Sequence, residues 1–113
     1  MEANIIPLTR PAVRYAVEVA ELFGDFTSTI CVKSNEDAEK VFNLVLNYVD
    51  AAQISLIDNR SVRFNNGSRV DVQVVIAASK GKRTNLIVYD TRLGNKILNA
   101  ILRPMLAHYF EKE

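Results

Sequence analysis

Ser61-Val62-Arg63-Phe64-Asn65-Asn66-Gly67-Ser68-Arg69-Val70-Asp71-Val72-Gln73-Val74-Val75-Ile76 leads through Ala77-Ala78-Ser79-Lys80-Gly81-Lys82-Arg83 into Thr84-Asn85-Leu86-Ile87-Val88-Tyr89-Asp90. The stretch reads as a β-hairpin, a basic loop and a buried strand that ends on an aspartate. A two-residue turn at Asn66-Gly67 would set Phe64 opposite Arg69 and Val62 opposite Asp71, mixing apolar and charged side chains on one face. A three-residue loop, Asn65-Asn66-Gly67, with Gly67 left-handed in a bulge, pairs Val62 with Val70 and Phe64 with Ser68. The apolar residues then share a face, which is the register a half-buried sheet requires. That register also sets Arg63 opposite Arg69 on the outer face. Like charges so placed repel by up to about 1 kcal/mol and invite an anion, although both guanidinium groups can also splay into water.

Working outward, Arg60 to Arg83 holds six basic residues, Arg60, Arg63, Arg69, Lys80, Lys82 and Arg83, against one acid, Asp71. The segment carries +5, while the 113-residue chain carries +1, so the remainder is at −4. A basic patch on a near-neutral chain suits nucleic acid, phosphate or an acidic protein surface, and the six cations are its candidate contacts. No aromatic residue interleaves them as a stacking platform.

Before the hairpin, helix and strand alternate. Asn4 to Leu8 is a short apolar run; Thr9 is placed to cap a helix with Pro11 in its first turn, and Gly24 to end it. Val13, Ala16, Val17, Ala20 and Phe23 form its apolar stripe. Thr27 to Val32 reads as a strand covered on both sides. A second helix starts at Ser34 with Asp37 as a capping-box acid, and its stripe of Ala38, Val41, Phe42, Val45 and Val49 is widened by Leu44, Leu46 and Tyr48. Ile54 and Leu56 alternate with polar residues up to a turn at Asp58-Asn59. After Leu86-Ile87-Val88 and a loop at Thr91 to Gly94, a final helix carries Ile97, Leu98, Ile101 and Leu102 and is interrupted by Pro104. The expected fold is one α/β domain, a three-layer sandwich whose mixed sheet contains the β-hairpin. The broad apolar surface of the second helix, with Met105, Leu106, Tyr109 and Phe110 beyond Pro104, predicts a homodimer through the C-terminal helix.

Apolar residues make up 49% and charged residues 24%, as in folded soluble chains. No apolar run is long enough to span a bilayer, and Met1-Glu2-Ala3-Asn4 is not a basic prelude to a signal peptide, so a cytoplasmic protein with no membrane partner is expected. One cysteine and one histidine make zinc improbable. Cys31, inside Ile30-Cys31-Val32, reads as a buried thiol, and His108 as a packing or surface residue. No metal or cofactor is expected.

In order, Phe64-Asn65-Asn66-Gly67-Ser68, Lys80-Gly81, Leu86-Ile87-Val88-Tyr89-Asp90 and Leu102-Arg103-Pro104 resemble the ATPase domain of the large terminase subunits that package DNA into tailed phage heads. The similarity runs from about Thr27 to Leu106. In that family a Phe-x-Asn-Gly-Ser hairpin, a basic-Gly loop, a Walker B strand ending Asp-Glu and a proline-bearing helix follow one another. The resemblance implies a phage-type, DNA-associated module. The chain departs from it at two positions. Pro7-Leu8-Thr9-Arg10-Pro11 stands where a P-loop would offer bare amides and a lysine to phosphates. Thr91 follows Asp90 where a glutamate would orient water. A non-enzymatic terminase-like module is therefore expected, binding nucleic acid or an acidic protein through the basic hairpin and loop. The alternatives are a protein-protein inhibitor or assembly factor and, less favoured, a metal-dependent nuclease in which Asp71 and Asp90, on adjacent β segments, share a metal beside Lys80 or Lys82.

Overall fold

The computed structural model describes residues 4–76 and 82–106. It is a mixed α/β fold built on six strands, β1 (Ile5–Pro7), β2 (Thr27–Val32), β3 (Ile54–Asp58), β4 (Ser61–Phe64), β5 (Arg69–Val74) and β6 (Leu86–Tyr89), in the order β1-β6-β2-β5-β4-β3. Pairings β1–β6, β6–β2 and β2–β5 are parallel, whereas β5–β4 and β4–β3 are antiparallel. The sequence reading of an α/β sandwich with a mixed sheet and a hairpin describes this architecture.

Helices α1 (Arg10–Leu22) and α2 (Asn35–Tyr48) cover one face. The Thr9 hydroxyl accepts from the Ala12 amide at 3.1 Å, and Ser34 caps α2 by accepting from the Asp37 amide at 3.1 Å. Each cap satisfies one of the orphan amides that open a helix. Val13, Ala16, Val17 and Ala20 of α1 and Ala38 and Val45 of α2 close over Ile30, Val32, Val62, Val70, Val72, Leu86 and Val88. Val41, Phe42, Leu44, Leu46 and Tyr48 of α2, with Val49 just beyond it, stay only partly buried against the same core. The Asp37 carboxylate does not serve the reciprocal capping box that its spacing suggests; it goes to Arg92 at 2.7 Å.

On the other face the chain turns at Thr91–Leu93 into α3 (Gly94–Ile97), a widened π turn over Leu98–Leu102, and α4 (Arg103–Met105). The Arg103 amide reaches back five residues to the Leu98 carbonyl, just before Pro104, which has no amide to offer. Leu93, Leu98, Leu102 and Met105 pack here on Ile5, Cys31, Val75 and Ile87. Leu98, Leu102 and Met105 of the C-terminal segment are buried against the sheet, with Ile97, Ile101 and Leu106 partly buried beside them. Tyr109 and Phe110 lie outside the described residues. No helix among the described residues is long and apolar enough to cross a membrane.

The hairpin has the bulged register. Val62 pairs with Val70 and Arg63 with Arg69, the Phe64 amide donates to Ser68 at 2.9 Å, and Gly67 has φ +88°. Its loop does a second task. The Asn66 amide group donates to the carbonyls of Ala20, Glu21 and Phe23 at 3.0, 3.1 and 3.3 Å, so the loop caps the C-terminal end of α1. The left-handed residue after α1 is Asp25, φ +56°, rather than Gly24. Asp25 donates its amide to the Asn66 carbonyl at 3.2 Å, which gives that conformation a partner.

A second hairpin, β3–β4, turns on Asn59 and Arg60, both at positive φ (+46° and +60°), the geometry of a two-residue type I′ turn. Such a turn normally announces itself with glycine. Here Arg60 takes the left-handed position and its side chain is held from α2, by Glu39 at 3.2 Å and Asn35 at 3.2 Å.

Candidate nucleic-acid interface

The C-terminal segment covers the part of its face made by β1, β6 and β2. Beyond β2, alternation along β5 and β4 sends Arg69, Asp71, Gln73, Ser61 and Arg63 to that same face. None of these five is fully buried. Two shallow hollows lie on it, of about 350 and 360 Å³. Arg63 and Arg69 line both, so the arginine pair is the ridge between them.

The six cations do not act as one patch. Arg63 is exposed and has no side-chain partner among the described residues, while Lys82, also exposed, lines the first hollow. Arg69 is half-buried and bound to Asp71 at 2.8 Å, and the Ser61 hydroxyl donates to the other oxygen of that carboxylate. Asp71 thereby offsets the repulsion that the Arg63–Arg69 pairing creates. Arg60 also lines the first hollow, with its guanidinium held from α2 by Glu39 and Asn35. Arg83 is exposed outside both hollows, and Lys80 lies outside the described residues. Four of the six, Arg60, Arg63, Arg69 and Lys82, are brought together around the first hollow.

The expectation that Asp71 and Asp90 occupy adjacent strands is corrected by the topology, because β2 runs between β5 and β6. Asp71 is level with Thr29 and hence with Ile87, three residues short of Asp90. The carboxylates are about 10 Å apart across the sheet and about as far again along it, too far to share one ion. Among the described residues no group of three or more acidic, histidine or cysteine side chains could hold a metal.

Asp90 has another occupation. At the end of β6 it is 8% exposed, and Arg92 donates to both its oxygens at 3.1 and 3.0 Å. The same guanidinium reaches Asp37 in the first turn of α2. Arg92 therefore ties the helical layers of the two faces together across the C-terminal edge of the sheet. Its hydrogen bonds hold the Asp90 carboxyl below the ordinary carboxylate range, against a smaller opposing effect of burial. A carboxyl so depressed contributes stability that is fully present above about pH 4, its unfolded value, and is lost as pH falls through the lower folded value. Arg92→Ala is expected to melt lower than the native protein at neutral pH, with the two melting curves drawing together as pH falls below the ordinary carboxylate range. A gap unchanged by acid would show that the clamp contributes nothing through charge. Cys31, fully buried beneath the C-terminal segment, has its thiol pushed up to about 12 by desolvation, which makes it a packing residue rather than a nucleophile.

At the β1–α1 junction the Leu8 amide donates to the Tyr89 carbonyl at 2.7 Å and Thr9 caps its own helix. Prolines flank both. The junction is closed by local bonding where a phosphate cradle would need free amides.

Family models, curated proteins and solved structures yield no match to the chain.

The sequence missed the two structural uses of its most motif-like residues, the Asn66 cap and the Arg92 clamp. Asn-Gly in a hairpin signals only the turn, and an Asp-x-Arg sequence signals only a local pair. Neither discloses its distant partner.

Proposed function

We propose that this chain is a non-enzymatic binding module that engages the phosphate backbone of nucleic acid through the face of β5 and β4 that carries Arg63 and Arg69. The observation that carries the reading is the cross-strand pair Arg63–Arg69 on the ridge between two hollows, with Lys82 lining the first. Phosphate contacts give affinity without sequence readout, and their strength falls steeply with salt. Phe64 is the aromatic residue that lines the second hollow, but it is 3% exposed and belongs to the core on the helical side. With no exposed ring lining either hollow among the described residues, unpaired bases gain little, which favours duplex over single strands. As a proposal, the terminase resemblance extends the reading to a phage-type packaging relative whose nucleotide machinery has been replaced. The closed β1–α1 junction and the Asp90–Arg92 pair support that replacement.

The test is a titration of duplex and single-stranded DNA at about 50 and 200 mM salt. Duplex binding is expected to weaken severalfold over that range. Arg63→Glu combined with Arg69→Glu is expected to abolish it while circular dichroism stays native. In the same samples Mg-ATP is expected to leave the melting temperature unchanged, and a rise would contradict the non-enzymatic assignment. Retained binding in the double variant would remove the arginine pair as the interface. Binding insensitive to salt would instead favour a protein partner held by apolar contacts.

A further inference from the structure

Two strands form the edges of the sheet. β1 has three residues and ends on Pro7, which lacks an amide donor, so that edge is short and blunt. β3 is different. It has five residues, Ile54-Ser55-Leu56-Ile57-Asp58, of which the last four are exposed. It contains no lysine, arginine or proline, and its one charge, Asp58, sits at the turn. A register shift between Ile54 and Leu56 is the one blunting device it carries. Leu56 pairs with Arg63 and Ile57 with Val62, so their side chains point to opposite faces, and they are 48% and 47% exposed. The tight turn makes Asp58 and Ser61 the hydrogen-bonded closing pair. Ile57 and Val62 are then a non-bonded pair, and the Ile57 amide and carbonyl point away from β4 toward the free edge.

We infer that β3 is a self-association edge, and that its occupant is the β3 strand of a second copy, antiparallel across a twofold axis normal to the sheet. An occupant must supply backbone donors and acceptors together with apolar side chains on both faces at successive positions. β3 has that composition itself. Antiparallel pairing sends the two Asp58 carboxylates to opposite ends of the ladder, so no like charges meet. A twofold contact needs one self-complementary element, and this strand is one. The axis keeps the open faces of both copies on the same side of a continuous sheet, so the two arginine ridges face one direction. One strand with two apolar side chains makes an interface at the small end of the specific class, below about 1,200 Å², so association is expected in the micromolar to sub-millimolar range.

The test is sedimentation equilibrium of the whole chain from about 10 to 500 µM, with amide hydrogen exchange at both ends of that range. The expected result is a monomer–dimer equilibrium in which the Ile57 amide becomes at least tenfold more protected as concentration rises. Two variants attack the edge differently. Leu56→Lys with Ile57→Lys places four like charges at the junction. Ile57→Pro removes the outward amide while sparing the bonds to β4. Both are expected to sediment as folded monomers at every concentration, and either suffices if the other fails to fold. A native chain that stays monomeric throughout overturns the inference and leaves the edge to a different strand. So does a dimer that persists in a folded variant, or one in which Ile57 exchange is independent of concentration.

Discussion

Replacing Ile30 with alanine is expected to destabilise the protein by about 2–5 kcal/mol, the range for removing a large aliphatic side chain from a packed interior. Ile30 has no accessible surface. It lies in β2, between Val72 of β5 and Val88 of β6, under the helical layer. Residues on both flanks are fixed by strand pairing, so the cavity cannot close by sliding a neighbour inward, and the upper half of the range is expected. Leu56→Ala provides the contrast. Half exposed on the edge strand, it should change the stability of the isolated chain by no more than about 0.5 kcal/mol. Urea denaturation decides both, read as a shift in midpoint at constant slope. An Ile30→Ala cost below about 1 kcal/mol would mean that the helices over β2 settle into the gap.

Gly67→Val is expected to cost about 2–4 kcal/mol, from left-handed backbone strain together with steric conflict. At φ +88° any β-carbon is unfavourable, and one built at Gly67 would lie 2.1 Å from the Asp25 Oδ1 atom. That carboxylate could swing aside. Asp25, however, is itself left-handed and bonded to Asn66, so displacing it would disturb the end of α1 and the hairpin together. Thermal melting tests this, with Gly94→Val as the comparison. Gly94 has a similar φ, +84°, but nothing stands within 4 Å of where its β-carbon would be. Gly67→Val should therefore melt lower than Gly94→Val. Equal losses would assign the whole effect to backbone strain and none to Asp25.

What the sequence disclosed was local. Thr9 before Pro11, Ser34 three residues before Asp37, the apolar run Thr27–Val32 and the spacing of Val62, Phe64 and Val70 each involve groups within a few residues of one another. Each describes the structure closely, except that the Asp37 carboxylate leaves the capping box for Arg92. The strand order was not legible, because placing β6 between β1 and β2 depends on pairings that no short window contains. The Arg92 clamp follows from that order, since Asp37 and Arg92 are 55 residues apart in sequence. The basic segment was legible as charge but not as geometry. Arg60, in a left-handed turn without glycine, is paired with Glu39 of α2, and Asp71 neutralises Arg69. Of six cations the fold gathers four around the first hollow, two of them, Arg60 and Arg69, already paired with acids.

The Asn66 cap also orders events during folding. Its three acceptors lie 43, 45 and 46 residues earlier in the chain. α1 can nucleate from Thr9 and Pro11 on its own, whereas the Asn66 donor to the carbonyls at its end comes only with the β4–β5 loop. The parallel β2–β5 pairing has the same long reach, with Thr27 aligned to Arg69. Loop-closure entropy for both is met in a single step, since the hairpin that supplies the strand also supplies the cap. The middle of the chain thus completes the beginning, since the donor that closes the far end of α1 arrives with the strand that pairs with β2.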